Sequence, residues 1–379
     1  IASVLSKYFD PQLMEDAYRF SPDGLYYAPP ECDIDGIRAY IKGLPANDHP
    51  QVFGLHSNAA ITFQQKESRA LMATIVTCAG GGGGGGGGSD NSARVVEIAT
   101  KISDRMPHPY DLRKAHADTF KKVGEGENKA TNTLGVFLGQ ELNQFNGLIS
   151  VMRSSLVQLK RAIKGEVVMD AVLENMFNCF VFQLVPPAWT AAGYPCLKPL
   201  PSWVEDFMSR IDFMGSWLHD GPRVSYWLSG FFFPQGFMTA VKQTYSRDMA
   251  IAVDTLRIGV EMTNKDVTEI TELPPIGAYI YGLFMEGGRF DRGTMLMDES
   301  KPRILLDEMP CVWLQPVISA DYNPENVYDC PLYKTSIRAG TLSTTGHSTN
   351  FVVTMTVPTD KPQDHWTRRG CAMLCMRDD

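Results

Sequence analysis

The sequence predicts an α+β fold in which helices come first and strands last, and three observations carry that expectation. Between Thr133 and Lys164 the large apolar residues fall at Leu138, Leu142, Phe145, Ile149, Met152, Leu156, Leu159 and Ile163, alternating steps of four and three that keep to one face of a helix. From Asp254 onward the period becomes two. Leu256, Ile258, Val260 and Met262 alternate with Thr255, Arg257, Gly259 and Glu261, and Phe351, Val353, Met355 and Val357 alternate with Val352, Thr354 and Thr356. Upstream of Ala130 the chain reads as short helical pieces separated by turns. A module boundary is therefore expected near Ala130, giving a helical segment 1–130, a second helical segment 131–253 and a β segment 254–379.

Taken in order, Pro22-Asp23-Gly24 has the chemistry of a turn, and Asp33 to Leu44 reads as a short amphipathic helix closed by Gly43 and Pro45. Ser57 or Asn58 caps a helix to about Val76, with Phe63, Leu71, Met72, Ile75 and Val76 as its expected buried face. Another helix runs from about Ser92 to Arg105. The long helix from Thr133 follows, with Thr131, Asn132 and Thr133 as N-cap oxygens and Lys164-Gly165 at its end. At 1.5 Å per residue it spans roughly 45 Å, longer than one small body. Gly139 and Gly147 and the scarcity of paired flanking charges favour packing against its own chain over a coiled-coil strand.

Met169 to Leu184 continues as a helix, and Ser202-Trp203-Val204-Glu205 reads as a capping box opening another that Asp220-Gly221-Pro222 stops. Tyr226 to Phe233 is expected to be a buried strand, and Pro234 to begin a helix reaching about Arg247. Further strands are expected at Tyr279 to Met285, Val312 to Ile318, Leu332 to Ile337 and Gly370 to Met376. Their spacing suggests an antiparallel meander or a partly closed β-barrel.

Composition narrows the function classes. The 379 residues are 44% apolar and 21% charged, with a net charge of −8 and room for two or three domains. Basic and acidic residues number 14 and 16 up to Ala130 and 21 and 27 beyond it, so neither half is basic and nucleic acid is not an expected partner. The densest apolar run, Val224 to Phe237, is broken by Ser229, Gly230, Pro234 and Gln235, too short for a membrane span. Eight cysteines without a C-x-x-C pair, and no N-x-S/T acceptor, point to reduced thiols in a cytosolic setting. The chain begins at Ile1 inside a helical pattern, without an initiator Met, a charged leader or a cleavage site, as a piece of a longer chain would.

Several residues invite chemical readings. His49 and His56 lie seven apart, but no Cys or carboxylate stands at a ligand spacing between them, so a metal site is not assigned. Gly80 to Gly88 is a run of nine glycines ahead of a helix, where backbone amides could cradle phosphate. No Lys follows until Lys101, so the run reads as a linker rather than a P-loop. Thr341 to Asn350 packs hydroxyls around His347, and Asp321, Asp329 and Asp360 could complete a Ser/His/Asp set. Yet no G-x-S-x-G elbow occurs, and the stretch reads equally as a hydroxyl-rich turn. Trp366, Trp313 and Tyr281 could form a sugar-stacking face, or simply fill a β core. Cys371, Met373 and Cys375 share one face of the last strand and read as structural thiols.

Longer motifs are more specific. Cys330-Pro331-Leu332-Tyr333-Lys334-Thr335-Ser336 and Gly340-Thr341-Leu342-Ser343-Thr344-Thr345-Gly346-His347-Ser348-Thr349-Asn350-Phe351-Val352 closely resemble the end of axonemal dynein heavy chains. So do Trp227-Leu228-Ser229-Gly230-Phe231-Phe232-Phe233, Gly282-Leu283-Phe284-Met285-Glu286-Gly287-Gly288-Arg289-Phe290-Asp291, and Ala162-Ile163-Lys164-Gly165. His49-Pro50 through Asn58-Ala59 and the glycine run look like the tail of the sixth AAA+ module of that family. Ala60 stands where the family usually has an acid, Phe290 where Trp is common, and the glycine run is longer than usual; these departures bear on subtype.

The resemblance implies the small helical part of the last AAA+ module, then a C-terminal domain of helices followed by a small β-barrel, with the long helix lying across the face of the ring. It implies a motor that binds ATP with Mg in other modules and grips microtubules through a stalk, working with intermediate and light chains in the cilium or flagellum. A single-headed inner-arm subtype is the expected one. No catalytic, cofactor-binding or metal-ligating residue is carried over to this chain. The rival reading is a stand-alone ligand-binding or hydrolytic β-domain centred on His347.

Overall fold

The structure, a computed structural model, describes residues 8–377 except for 16–17, 22–23, 28, 46–47, 54, 81–87, 124–129 and 339–348. The expected Pro22-Asp23 turn, most of the glycine run and His347 lie outside the described residues. The N-terminal part contains the helices α1 (Ile34–Gly43), α2 (Asn58–Gly80) and α3 (Gly88–Arg105) among its described residues. Asp33 caps α1, its Oδ1 accepting the Gly36 N–H at 2.8 Å. On α2 the expected buried face is open to solvent: Phe63 is 55% exposed, Leu71 62% and Ile75 52%. The helical spacing is present, but these three side chains face solvent; the first turn of α2 is fastened through Asn58. The side chain of Val76 is not described.

The long helix is α4 (Thr133–Ile163), started by Asn132, whose Oδ1 accepts the Leu134 N–H at 3.1 Å. Seven of the eight stripe residues, Leu138 through Leu159, are fully buried, and Ile163 is half-buried. The cover comes from this same chain, as the sequence suggested: α3, α5 (Ala171–Val181), α6 (Pro187–Ala192), α7 (Leu200–Asp220) and α8 (Pro234–Asp248) all pack on α4. Val95, Ala99, Ile102 and Met106 belong to the same core, so the helix before the 106–130 stretch and the helices after it share one interior. The lead-in to α4 crosses it closely at Gly135, where a Cβ would stand 1.9 Å from the Thr119 carbonyl oxygen. A two-residue pair, β1 (Lys122–Val123) with β2 (Ala130–Thr131), closes that crossing.

The expected capping box is not formed. Helix α7 starts earlier, behind Pro199 and Pro201, and Leu200 donates its N–H to the Gln183 carbonyl at 2.8 Å. Glu205 is turned instead to Arg105 of α3, which it holds with both oxygens at 2.5 and 2.8 Å. Tertiary contact has taken the side chain that the local motif would have used.

Eleven strands follow among the described residues: β3 (Ser225–Trp227), β4 (Leu256–Met262), β5 (Ala278–Tyr281), β6 (Phe284–Glu286), β7 (Arg289–Asp291), β8 (Leu296–Asp298), β9 (Leu306–Glu308), β10 (Val312–Ile318), β11 (Val327–Tyr333), β12 (Phe351–Pro358) and β13 (Ala372–Leu374). They do not close into the expected β-barrel. One sheet has the order β3-β5-β10-β4 and a second β12-β11-β13-β6-β9, with β7 and β8 as a separate pair. Nor is the pairing purely antiparallel, since β3 with β5 and β11 with β13 run parallel. The edges β4 and β12 are bridged by a side group in place of a ladder: the Tyr322 hydroxyl accepts the Val260 N–H at 3.3 Å and shares a 2.9 Å hydrogen bond with Thr356 Oγ1.

Several strand boundaries differ from expectation. The strand expected over Tyr279 to Met285 is split into β5 and β6 at Gly282, whose φ is +83°. That expected over Tyr226 to Phe233 stops at Trp227 and becomes a short 3-10 turn, Leu228–Gly230. The one expected at Leu332 to Ile337 lies at Val327–Tyr333, because pairing with β12 from Val327↔Pro358 to Tyr333↔Phe351 sets the register. Helix α9 (Gln363–Arg369) ends at left-handed Gly370, leaving β13 only three residues. Among the described residues no helix is long and apolar enough to cross a membrane.

Candidate functional site

The long helix meets the β half of the molecule at a buried polar junction. Glu141 falls three residues after Leu138 and four before Phe145, on the apolar face of α4, and is 3% exposed. Its Oε2 accepts the Phe232 N–H at 2.7 Å and its Oε1 the Phe233 N–H at 3.1 Å. Phe233 is the N-cap position of α8 and has no side-chain cap of its own, so a carboxylate from another helix serves there. Burial pushes the Glu141 carboxyl up to about 7, against the opposing pull of the two amides, Arg210 and Lys334.

Arg210 of α7 forms the other half of the junction and is fully buried. Its Nε donates to Asp206 Oδ2 at 2.6 Å, its Nη1 to the Ser229 carbonyl, and its guanidinium lies 3.8 Å from the centre of the Tyr194 ring. Ser229 Oγ in turn donates to the Gly282 carbonyl between β5 and β6. An unbroken set of contacts thus runs from α7 through the 228–233 turn to the first sheet, while Glu141 ties the same turn to α4. The aromatic rings of Phe137, Phe231 and Phe237, with centroids 4.9 to 5.7 Å apart, wall the turn on its apolar side.

A second connection joins the start of α2 to the second sheet. Asn58 Nδ2 donates to the carbonyls of Lys301 and Ile304 at 3.0 and 2.8 Å, and Asn58 Oδ1 accepts the Arg303 N–H at 2.9 Å. An open cleft of about 480 Å³ lies beside it, lined among others by His56, Phe63, Glu286, Arg338 and Arg369. Arg338 holds Glu286 and donates to the Gly370 carbonyl at 2.7 Å. His56 accepts the Asn58 N–H on Nδ1 at 3.1 Å, a capping contact; burial first, then Arg369, lowers its proton affinity.

Of the residues singled out for chemistry, His56 lies at the second junction, and the others described fall elsewhere. His49 packs its ring 5.9 Å from Tyr26, apart from the Asn58-capping role of His56. Among the described residues no group of three His, Cys, Asp or Glu side chains could hold a metal ion. Trp366 is fully buried and donates to Thr359 Oγ1 at 2.8 Å; Trp313 donates to the Ile276 carbonyl at 2.7 Å. With Trp366 enclosed in the core, these rings offer no shared stacking face. Cys371, Met373 and Cys375 are all buried, and both cysteines are free thiols. Sequence reasoning passed over Glu141 and Arg210. The signal was present: a charged residue at a core position of each helix, Arg210 following Phe207 by three and preceding Met214 by four.

Comparison with known proteins gives this geometry a context. Residues 65–375 match the family described as the C-terminal domain of the dynein heavy chain, and residues 1–59 that described as the AAA lid domain of the dynein heavy chain. Over its full length the chain is 42% identical to human Dynein axonemal heavy chain 3, covering 9% of that protein. It is 40% identical to human Dynein axonemal heavy chain 1, again over all of its own residues and 9% of the relative. It is 38% identical to human Dynein axonemal heavy chain 12, covering 12% of it. The chain thus spans about a tenth of the length of the curated relatives it matches.

Proposed function

The chain belongs to the dynein heavy chain family, and from that premise we propose that it is the C-terminal part of the motor domain of an axonemal dynein heavy chain. The whole motor is read as an ATP-driven, minus-end-directed microtubule motor of the ciliary or flagellar axoneme, of the inner-arm type. Full-length identity to axonemal heavy chains is the observation that carries this reading. Within the motor this piece acts as a brace of the AAA+ ring. It carries no catalytic, cofactor-binding or metal-ligating residue of its own, and ATP with Mg is held by other modules of the longer chain. Its direct partner is the rest of the same heavy chain; intermediate and light chains and doublet microtubules engage the full-length protein.

Residues 1–130 are read as the end of the sixth AAA+ module, 131–253 as the helical part of the C-terminal domain and 254–379 as its β part. The lid match over 1–59 supports the first assignment, while the C-terminal-domain match from residue 65 would draw the boundary earlier. The reading of a separate hydrolytic domain centred on His347 draws no support from these matches.

The brace reading rests on the buried stripe of α4 from Leu138 to Leu159. In the full heavy chain, Leu156→Asp places a charge in that core and is expected to lower thermal stability, ATPase rate and gliding speed together. Unchanged values of all three would refute it.

A further inference from the structure

The cleft beside Asn58 is continuous with a second one. Another opening of about 480 Å³ adjoins it, and Thr62, Glu286, Leu305 and Ser336 line both, so the two form a single groove between α2 and the second sheet. Its floor is made by the ends of strands: Glu286 closes β6, Leu374 closes β13 and Leu306 opens β9. Its wall is α2, which presents Phe63, 55% exposed, to the first opening.

The charge of this groove runs against that of the chain. Over the whole sequence acids outnumber bases, 43 to 35. Yet among the described residues Arg69, Arg303, Arg338, Arg369 and Arg377 line the groove with a single carboxylate, Glu286. Arg338 already holds that carboxylate. Arg369 reaches Glu299 at 3.3 Å, but the same oxygen also serves Lys361 at 3.4 Å and His365 at 2.7 Å. Arg303 is exposed, its backbone fixed by Asn58 on the loop ahead of β9. A cleft lined by one sign of charge focuses its field and gathers ligands of the other sign, and guanidinium forks match carboxylates in geometry as well as charge.

The apolar lining narrows the ligand further. Leu55, Phe63, Leu305 and Ile337 stand beside the arginines in the first opening, and a small anion such as phosphate would leave them uncovered. A nucleic-acid strand gains its hold from a row of stacking faces, whereas Phe63 is the one Phe, Tyr or Trp among the described lining residues. We propose that the groove docks an acidic peptide segment of a partner polypeptide: an extended stretch of Asp and Glu carrying one large apolar side chain. The carboxylates meet the arginines, and the apolar side chain lies against Phe63.

The test is fluorescence polarisation on the full heavy chain, with a labelled peptide of Asp and Glu around one central Leu as the probe. Saturable binding is expected, weakening steeply as salt rises to about 0.3 M because the charges are partly solvated. Arg303→Glu and Phe63→Ser, both at exposed positions, should each weaken it about tenfold or more. Lys42→Glu, which reverses a cation that does not line the groove, should leave it unchanged. Absence of saturable binding overturns the proposal, as does an affinity that Arg303→Glu and Phe63→Ser leave at the wild-type value or that Lys42→Glu lowers equally. So does equal binding of the same peptide with Ser for Leu, of inorganic phosphate or of an oligonucleotide, since the groove would then take anions at large. The readout is binding and not motility, so its failure leaves the motor reading untouched.

Discussion

Asn58 Oδ1 accepts the backbone N–H of Arg303 at 2.9 Å, joining the first turn of α2 to the loop ahead of β9 across most of the chain. Arg303 sits at φ +68°, a conformation L residues seldom adopt without outside support. The same side group also donates to the carbonyls of Lys301 and Ile304. Asn58→Ala removes all three bonds and is expected to cost roughly 2–3 kcal/mol of local stability. The check is faster exchange in a peptide over residues 301–305 of the full heavy chain; protection equal to wild type would show that the loop holds itself.

Arg210 is expected to behave as half of a buried pair, not as a detachable charge. Arg210→Ala leaves Asp206, 7% exposed in its side chain, with Lys198 at 3.7 Å as its remaining cation among the described residues. That should cost about 3–5 kcal/mol. Arg210→Lys should recover little, because an ammonium cannot both pair with Asp206 and lie flat on Tyr194 while reaching Ser229. Asp206→Asn combined with Arg210→Met should recover much of the loss, since both charges leave together. The measurement is the local opening energy of α7 from hydrogen exchange, and a double variant no better than Arg210→Ala would contradict the pairing.

How far the sequence could be read follows from where each element gets its stability. Helix α4 was legible because its eight apolar positions are a local property of one helix. β10 was legible to the residue, and β4 and β12 to within one or two, because each is a seven- or eight-residue alternation with its own pattern. The three-residue strands β3, β6 and β13 exist only through their neighbours in the sheets, so nothing within them announces their ends. Sheet closure was overread for the same reason: alternation marks a half-buried strand but does not say whether the edges β4 and β12 meet by a ladder or by Tyr322. The junction at Glu141 and Arg210 escaped because a search for apolar periodicity treats a charge on that face as noise.

The cysteines separate by burial, and their reactivity should follow. Burial raises the Cys330 thiol well above its ordinary value and Cys375 up to about 12, while Cys32 is exposed. Since the thiolate is the nucleophile, iodoacetamide at pH 8 is expected to label Cys32 quickly and to spare Cys330, Cys371 and Cys375 until the chain is denatured. Mass spectrometry of the labelled peptides checks the order. Labelling of Cys330 or Cys375 at a rate matching Cys32 would place the second sheet's interior in contact with solvent.

Gly282 is where the sequence expectation of one continuous strand fails, and its substitution tests why. The residue turns the backbone between β5 and β6 at φ +83°, and a Cβ there would stand 2.4 Å from Trp227 Cδ1, 2.5 Å from its Nε1 and 3.1 Å from Ser229 Oγ. Gly282→Ala therefore meets two separate penalties. The left-handed backbone costs an L residue roughly 1–2 kcal/mol, and forcing a methyl group against a packed indole costs about 1–3 kcal/mol more. The strain falls on the carbonyl that Ser229 uses, so it should spread to Arg210 through Ser229. Exchange is expected to quicken in the 228–236 peptide as well as around residue 282. Trp227→Ala in the Gly282→Ala background should relieve the steric share and leave the backbone share, a split that a purely local turn defect would not produce. If Gly282→Ala disturbs only its own turn, the continuous path from α7 to the first sheet is not a mechanical one.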